Sequence, residues 1–417
     1  MTDLQDAVHE GLTVLRQLIQ IDTTAGAGLE SKAALWLCRR ATERGWQAKV
    51  VEPQAGYGSL LTTFKGRSED ALLLLSHLDT APVGSVGDWS RDPLSGEIAD
   101  GYVWGRGAVD CKGLVAVWWA VLLLLERTPL ERSVVWAAAA GEETRSPWGA
   151  RWLREHCPEL RRCSGVLNEG GGWPLRLGRT PFAVCQVGEK GYARLLLPEG
   201  RAYACGQVRI HARLPEAHRT LLRSAGGVAG AWAARLEGAA AVWFTQWMQR
   251  NSPHALDPHE MFCHCFEVRR SVEYPGRHEL ICRALPGELM ERVLDHGLRR
   301  WGLRLNEGCD LLELDEPTAS PLDDPLYEAI HAAHDLPVLP YIASGRSDSS
   351  WFRNAGIPVY GWFPHIDADD LMRMHRPDER ISVAGFTRAV ERLYTLVSRF
   401  AADPAEAATK RIPLRLR

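Results

Sequence analysis

The chain has 417 residues, of which 46% are hydrophobic and 24% are charged, as in an ordinary soluble globular protein. Its length predicts two or three domains. The formal net charge is −3 with both signs mixed along the chain, which argues against nucleic acid or an anionic membrane as a partner.

The N-terminal segment predicts a surface helix rather than a signal peptide. Leu4, Val8 and Leu12 recur at helical spacing, and no basic start precedes a continuous apolar core. The longest apolar run, residues 113–125, is 13 residues long, which is too short to span a bilayer and indicates a buried helix. The ten cysteines show no framework spacing, so we expect reduced thiols and a cytoplasmic protein.

Strand-like and helix-like segments alternate in the first part of the chain. Residues 71–80, 133–140 and 163–172 form short apolar runs, and a helical run lies at 113–127. This alternation predicts an α/β fold with a mostly parallel sheet sandwiched by helices.

The pattern changes after about residue 186, where alternating strands are interleaved with two helices. This favours a smaller α+β domain, at 187–306, inserted into the larger one. The α/β domain would then comprise residues 1–186 and 307–417.

Polar side chains follow the predicted strands of the larger domain. Because the carboxyl ends of parallel strands share one edge of a sheet, we expect these residues to converge there. They are His77, Asp79, Asp110, Glu142, Glu143 and Glu169, with His375 near the C-terminus.

This set of imidazoles and carboxylates suits zinc, with manganese or cobalt as other options. Asp79 is placed to orient His77, and Asp110 has two oxygens with which to bridge two ions. Two ions polarise a carbonyl and lower the pKa of bound water to about 7, and a carboxylate that is not a ligand must take the proton. Of Glu142 and Glu143, one would hold metal and the other the water. The alternative is that both acids stabilise a helix N-terminus.

Five motifs carry a specific resemblance: "SHLDTAP", "WGRGAVDCKG", "AAGEET", "LNEGGG" and "MHRPDERIS". In this order they resemble the co-catalytic zinc exopeptidase and deacylase family. That family includes aminoacylase, glutamate carboxypeptidase, acetylornithine deacetylase and succinyl-diaminopimelate desuccinylase. The spacing agrees, with 33 residues from His77 to Asp110 and 32 from Asp110 to Glu142.

The resemblance implies two zinc ions and a role for each matched residue. His77, Asp110 and Glu169 would bind one ion, and Asp110, Glu143 and His375 the other. Glu142 would be the general base and then the general acid, and Asp79 would support His77.

The resemblance also implies that the smaller domain is a lid through which the chain forms a homodimer. Gly345 and Ser347 lie where the family places a loop that holds the substrate carboxylate, and Arg283 matches a lid arginine. The usual lid histidine is missing, and Tyr203 stands nearest in the sequence. Tyr203 would replace it in part, or His211 or His254 would, or the lid has lost this role. The family's lid asparagine is not evident in residues 269–276 either.

Other motifs have weaker functional interpretations. The stretch "MFCHCFE" (261–267) predicts a structural strand, because successive side chains of a strand point to opposite faces. Gly105 and Gly107 lack the third glycine of a dinucleotide site, and residues 344–350 lack a nucleophile elbow. Tryptophans close to the site motifs, Trp89, Trp104 and Trp148, are candidates for an apolar acyl pocket.

The sequence thus favours an amide hydrolase that acts on a small molecule or short peptide beside a carboxylate. An N-acyl-amino-acid deacylase leads, and a dipeptidase or carboxypeptidase is the alternative. A non-catalytic metal-binding protein with a degenerate lid is the alternative from another class.

Overall fold

The computed structural model describes residues 3–177, 180–201, 203–236, 242–243, 261–305, 307–364 and 366–402. The chain divides into two compact units. Unit 1 comprises Met1–Pro174, Asp323–Val338 and Ser347–Arg417, and unit 2 comprises Leu175–Leu322 and Leu339–Arg346. The domain boundaries expected from the sequence, 1–186, 187–306 and 307–417, stay a prediction.

The helices used below are numbered in chain order. They are α1 Leu4–Gln20, α2 Glu30–Glu43, α3 Lys112–Leu125, α4 Ala150–His156, α5 Pro158–Arg161, α6 Glu216–Leu236, α7 Met290–Leu298, α8 Pro325–Ala332, α9 Ser349–Arg353, α10 Ala368–Leu371 and α11 Val383–Ala401.

The strands are numbered in the same way. They are β1 Ala48–Val51, β2 Ser59–Phe64, β3 Ala71–His77, β4 Ile98–Ala99, β5 Tyr102–Trp104, β6 Ser133–Ala139, β7 Cys163–Asn168, β8 Gly171–Leu177, β9 Thr180–Glu189, β10 Gly191–Leu196, β11 Gly206–His211, β12 Cys263–Arg270, β13 His278–Ala284, β14 Asp310–Asp315, β15 Thr318–Ala319, β16 Val338–Ala343, β17 Val359–Gly361 and β18 Arg380–Ser382.

The main sheet of unit 1 has the order β1-β2-β6-β3-β7-β17. Its pairs β6–β3, β3–β7 and β7–β17 are parallel, while β1 and β2 run antiparallel to their neighbours. Every residue of β3 is buried, as expected for a strand covered on both faces. The predicted α/β class with a largely parallel sheet is confirmed.

One face of this sheet packs on short helices. Leu73, Leu75 and Val135 point into a core that also holds Leu153 of α4 and Phe352 of α9. Removal of this apolar surface from water stabilises the layer by about 25 cal/mol for each Å² that is buried.

The apolar run at 113–125 is the buried helix that the sequence predicts. Helix α3 packs against α1 and α11, and its apolar residues are buried except Leu124. The indole N–H of Trp118 donates to the Leu75 carbonyl at 3.1 Å, so the helix is tied to the sheet. Gly11 of α1 allows close packing, since a Cβ there would lie 3.0 Å from Ala120. None of the described helices combines the length and apolar character needed to cross a bilayer.

A small antiparallel sheet, β18-β5-β4, also belongs to unit 1. Ile381 of β18 pairs with Val103 of β5. Ser382 ends β18 and caps α11, because its side chain accepts the Gly385 N–H at 2.9 Å. Strand β5 precedes the loop that carries Asp110, and β18 follows the loop that carries His375. The sheet therefore anchors one end of each of these two loops.

Unit 2 combines an antiparallel sheet with helices. The sheet has the order β11-β12-β13-β10-β14. Leu195, Phe266 and Leu280 form its core together with Val293 and Leu294 of α7. In the same unit β9 pairs with β15 and β16. Its make-up is that of the α+β domain expected from the sequence.

Candidate metal centre

Three parallel strands of unit 1 end at the candidate site. His77 is the last residue of β3, Glu169 follows β7 directly, and Glu142 and Glu143 follow β6. Because β6, β3 and β7 are neighbours and run in the same direction, their ends bring these side chains together.

Asp110 and His375 reach the same place by other routes. The expectation that Asp110 ends a strand of the parallel sheet is wrong, since Asp110 lies in the loop between β5 and α3. His375 lies between α10 and β18, with a left-handed backbone at φ 62°. The small sheet β18-β5-β4 holds both loops in place.

The seven predicted metal and catalytic residues converge within unit 1. His77 Nε2 lies 2.9 Å from Asp110 Oδ1 and 3.3 Å from Glu169 Oε2. His375 Nε2 lies 2.8 Å from Asp110 Oδ2 and 3.1 Å from Glu143 Oε1. The two oxygens of Asp110 thus face the two imidazoles, one each, which is the geometry of a bridging carboxylate.

The donor set fits divalent metal ions. A ring nitrogen with one proton can donate to only one oxygen, yet each Nε2 faces two carboxylates. Among the described residues Glu143 Oε1 accepts no hydrogen bond, although His375 Nε2 is near it. An ion with several coordination positions would satisfy all of these atoms together.

Asp79 holds the site loop and one imidazole. Its Oδ1 accepts the backbone N–H of Glu142 at 3.0 Å, and its Oδ2 accepts that of Glu143 at 2.9 Å. His77 Nδ1 lies 3.0 Å from the Asp79 carbonyl oxygen and 3.4 Å from Oδ1, so Nε2 is the nitrogen that faces the acids. Asp79 is therefore a positioning residue.

Burial and mutual proximity shift the pKa values of the acids in opposite directions. Burial raises the pKa of Glu169 to about 7, against the charge of His77. Burial, and then the charge of Glu169, raises the pKa of Glu142 well above its ordinary value. Burial alone would raise the pKa of Asp110, but hydrogen bonds to His375 and His77 hold it far below its usual range. The carboxylates of Asp110 and Glu143 raise the pKa of His375 to about 10.

Glu379 supports the loop that carries Asp110. Its Oε1 accepts the backbone N–H groups of Val109 and Asp110 at 2.9 and 3.1 Å, and its Oε2 accepts from Arg106 at 2.6 Å. Arg106 and Glu379 are buried. This role of Glu379 was not predicted from the sequence, although the residue stands four positions after His375 in the last motif.

Arg145 lies in the loop that carries Glu142 and Glu143. It connects this loop to the loop around Ser347, which also lies in unit 1. Its Nη1 donates to the Ser347 carbonyl at 2.7 Å, and its guanidinium lies 4.4 Å from the Trp351 ring centre. Ser347 is buried, and its Oγ accepts the Ser349 N–H at 3.2 Å. The predicted role of Ser347 in substrate binding stays a prediction.

The other predicted substrate-binding residues lie in unit 2. Arg283 is on β13, and Gly345 is in the segment Leu339–Arg346. The ring of Tyr203 packs on the core of unit 2, beside His278 at 5.6 Å between ring centres. His211 ends β11 with its Nδ1 3.5 Å from Cys263 Sγ, and His254 lies outside the described residues.

The tryptophans named from the sequence differ in exposure. Trp89 and Trp104 are buried, and each indole N–H donates to a backbone carbonyl, of Val83 and Ala99 respectively. Trp148 is 37% exposed. The first two therefore fasten loops of unit 1, and the acyl-pocket role stays a prediction.

One residue at the centre was not identified from the sequence. Cys111 is buried, and its Sγ forms a group with a His77 ring nitrogen and a Glu169 oxygen, all within 4.8 Å of one another. A second group with the same property comprises Asp110, Glu143 and His375. A single cysteine has no spacing pattern that would have pointed to it.

An α/β sheet whose strand ends gather imidazoles and carboxylates into two adjoining ligand groups is the architecture of a metal-dependent hydrolase. The family model described as "Peptidase family M20/M25/M40" matches residues 73–399. The chain belongs to this family, whose members are hydrolases that act on amide bonds and depend on metal.

Individual relatives agree with this assignment. The chain is 24% identical to aminoacylase-1A of Rattus norvegicus over 430 residues, which cover 96% of this chain and 97% of that protein. It is 34% identical to succinyl-diaminopimelate desuccinylase of Cereibacter sphaeroides over 116 residues, which are 27% of this chain and 30% of that relative. The fold is similar to that of the M20 family metallo-carboxypeptidase Sso-CP2 from Sulfolobus solfataricus. That comparison has a TM-score of 0.65 and 16% identity, and it covers 93% of this chain and 98% of the other.

Proposed function

We propose that the chain is a dinuclear zinc amidohydrolase that removes the acyl group from an N-acyl amino acid or a related carboxylate-bearing amide. One observation carries the proposal: the two oxygens of Asp110 face two imidazoles, each of which faces a further glutamate. His77, Asp110 and Glu169 would hold one ion, and Asp110, Glu143 and His375 the other. Manganese or cobalt could replace zinc in such a site.

Bound ions would polarise the scissile carbonyl and lower the pKa of water to about 7. The protein residues supply the proton transfers. Glu142 takes a proton from the attacking water and returns it to the leaving amine. Its buried carboxyl, beside Glu169, has a raised pKa, which suits a group that must both accept and donate a proton. Asp79 keeps the Glu142 backbone in place.

The proposed substrate class is based on the relatives that align with this chain over almost its full length. Aminoacylase-1A aligns over nearly the whole chain, and this favours a deacylase. The fold comparison with a metallo-carboxypeptidase keeps a dipeptidase or carboxypeptidase as the alternative. A non-catalytic metal-binding protein remains the alternative from another class, because the usual lid histidine is missing. A cytoplasmic location and a homodimer formed through the lid also stay proposals.

A substrate panel with two matched variants tests this function. N-acyl amino acids of increasing acyl length and unblocked dipeptides would be compared on the zinc-loaded enzyme. Faster turnover of the N-acyl series is expected, whereas preference for dipeptides would support the alternative.

Glu142→Ala should abolish nearly all turnover and leave metal content unchanged, and Glu143→Ala should lower metal content. Retained turnover in Glu142→Ala would contradict the general-base role.

A further inference from the structure

Cys111 places a sulfur atom in one half of the candidate centre. It follows Asp110 directly, and its side chain is fully buried. Its Sγ, a His77 ring nitrogen and a Glu169 carboxylate oxygen lie within 4.8 Å of one another. His77 Nδ1 is engaged by Asp79, so Nε2 is the nitrogen available on this side.

These separations suit a shared ion. Zinc binds sulfur at about 2.3 Å and nitrogen or oxygen at about 2.0–2.2 Å, so two such ligands of one tetrahedral ion lie about 3.6 Å apart. The three atoms of this group need move by only about 1 Å to meet that geometry.

The surroundings of Cys111 separate this thiol from an ordinary buried cysteine. A structural cysteine behaves as a small apolar side chain and packs among others. Cys111 Sγ instead lies within 4.8 Å of a His77 ring nitrogen and a Glu169 carboxylate oxygen, and both residues are predicted metal ligands. By contrast, the ligand group of Asp110, Glu143 and His375 offers only oxygen and nitrogen.

We propose that Cys111 supplies a sulfur ligand to the metal position formed by His77, Glu169 and one oxygen of Asp110, so that this position selects a thiophilic divalent cation such as zinc or cadmium. This inference rests on the proposed metal centre. Coordination forms a metal–sulfur bond and releases the thiol proton to solvent. The position formed by Asp110, Glu143 and His375 accepts harder ions such as manganese. The two halves of the centre therefore differ in ion preference.

Cobalt(II) titration of the full-length, metal-free protein tests the sulfur ligand without relying on activity. Cobalt in a protein site gives weak d–d bands in the visible, and a thiolate ligand adds an intense charge-transfer band in the near ultraviolet. The wild-type protein should develop both. The charge-transfer band should be lost in Cys111→Ser and kept in Cys157→Ser, a matched change at another buried cysteine of unit 1.

Ion competition tests the selectivity. In Cys111→Ser, the preference for cadmium over manganese at one ion per chain should fall by about tenfold or more, because a soft ligand has been exchanged for a hard one. If the serine variant does not fold, Cys111→Ala serves in its place, and the wild-type spectrum decides by itself whether sulfur is bound.

The results of the cobalt titration distinguish a failure of the proposed Cys111 ligand from a failure of the whole metal centre. Full cobalt occupancy without a charge-transfer band would overturn the role of Cys111 and leave the metal centre standing. A band that persists in Cys111→Ser would assign the sulfur to another cysteine and also overturn the inference. Failure to bind any cobalt would overturn the metal centre and the inference together.

Discussion

The carboxylate of Glu379 accepts the backbone N–H of Asp110 at 3.1 Å, across 269 residues of sequence. Its second oxygen is held by Arg106 in an ion pair that is almost completely buried. A buried charge pair therefore fixes the backbone of Asp110, the aspartate proposed to bridge the two ions.

Glu379→Gln should destabilise the protein by on the order of 3 kcal/mol, because it leaves the buried Arg106 cation without a counter-charge. The free energy of unfolding in urea, measured on metal-free protein, checks this. Glu97→Gln is the matched control, since Glu97 pairs with Arg91 at the surface and should cost less than about 1 kcal/mol. Equal effects of the two changes would contradict the proposed role of the buried pair.

Asp79→Asn should weaken metal binding by about 10- to 100-fold, as removal of a residue that orients a ligand typically does. An asparagine carries an NH2 group where the aspartate has its second oxygen, so the Glu142 or the Glu143 N–H would face a donor instead of an acceptor. Competition with a chelator of known zinc affinity gives the dissociation constant. A constant within about twofold of wild type, in folded protein, would show that Asp79 does not position the site.

These positioning roles show where sequence reasoning stops. His77, Glu142 and Glu169 could be placed together from the sequence because each ends or follows a buried strand, and ends of parallel strands share an edge. Asp110 and His375 lie on loops anchored by a separate small sheet, so the strand-end argument did not describe how they reach the site, and the family motifs gave the firmer reason to include them. The role of Glu379 depends on backbone groups nearly 270 residues away, which no local pattern encodes.

Acid should destabilise unit 2 through His218. This side chain is fully buried, and among the described residues neither ring nitrogen has a hydrogen-bond partner. Burial, followed by the charge of Lys190, lowers the pKa of His218 to about 3, whereas an unfolded histidine titrates near 6.5. Below pH 6.5 the unfolded chain binds a proton at His218, whereas the folded chain binds it only when the pH approaches 3. This contribution to stability is therefore complete above pH 6.5 and is lost progressively as the pH falls toward 3.

His218→Leu should remove that loss. Between pH 7.5 and pH 5 its free energy of unfolding should fall by about 2 kcal/mol less than that of the wild type. Denaturation would be followed in the presence of a chelator, so that release of metal does not contribute. His9→Leu changes an exposed histidine of α1 and should behave as the wild type. An identical pH dependence in wild type and His218→Leu would contradict the neutral, buried histidine.

Gly149→Ala should disturb the loop that carries Glu142. A Cβ at Gly149 would lie 1.8 Å from the Ala140 carbonyl oxygen, which is backbone at the start of that loop and cannot rotate away. We expect a loss of about 1–3 kcal/mol or more in stability, with a lower kcat. Gly87→Ala meets no atom closer than 3.7 Å and should change stability by about 0.5 kcal/mol or less. Equal unfolding midpoints for the two variants would rule out the close contact.

The number of metal ions bound per chain is the first measurement to make, because it shows whether the dinuclear centre exists. Protein purified without added metal would be reconstituted with zinc, freed of excess by dialysis, and analysed by plasma mass spectrometry. Two zinc ions per chain are expected in the wild type and fewer in Glu143→Ala. No retained zinc in the folded wild-type protein would mean that the side chains gathered around Asp110 do not form a metal centre.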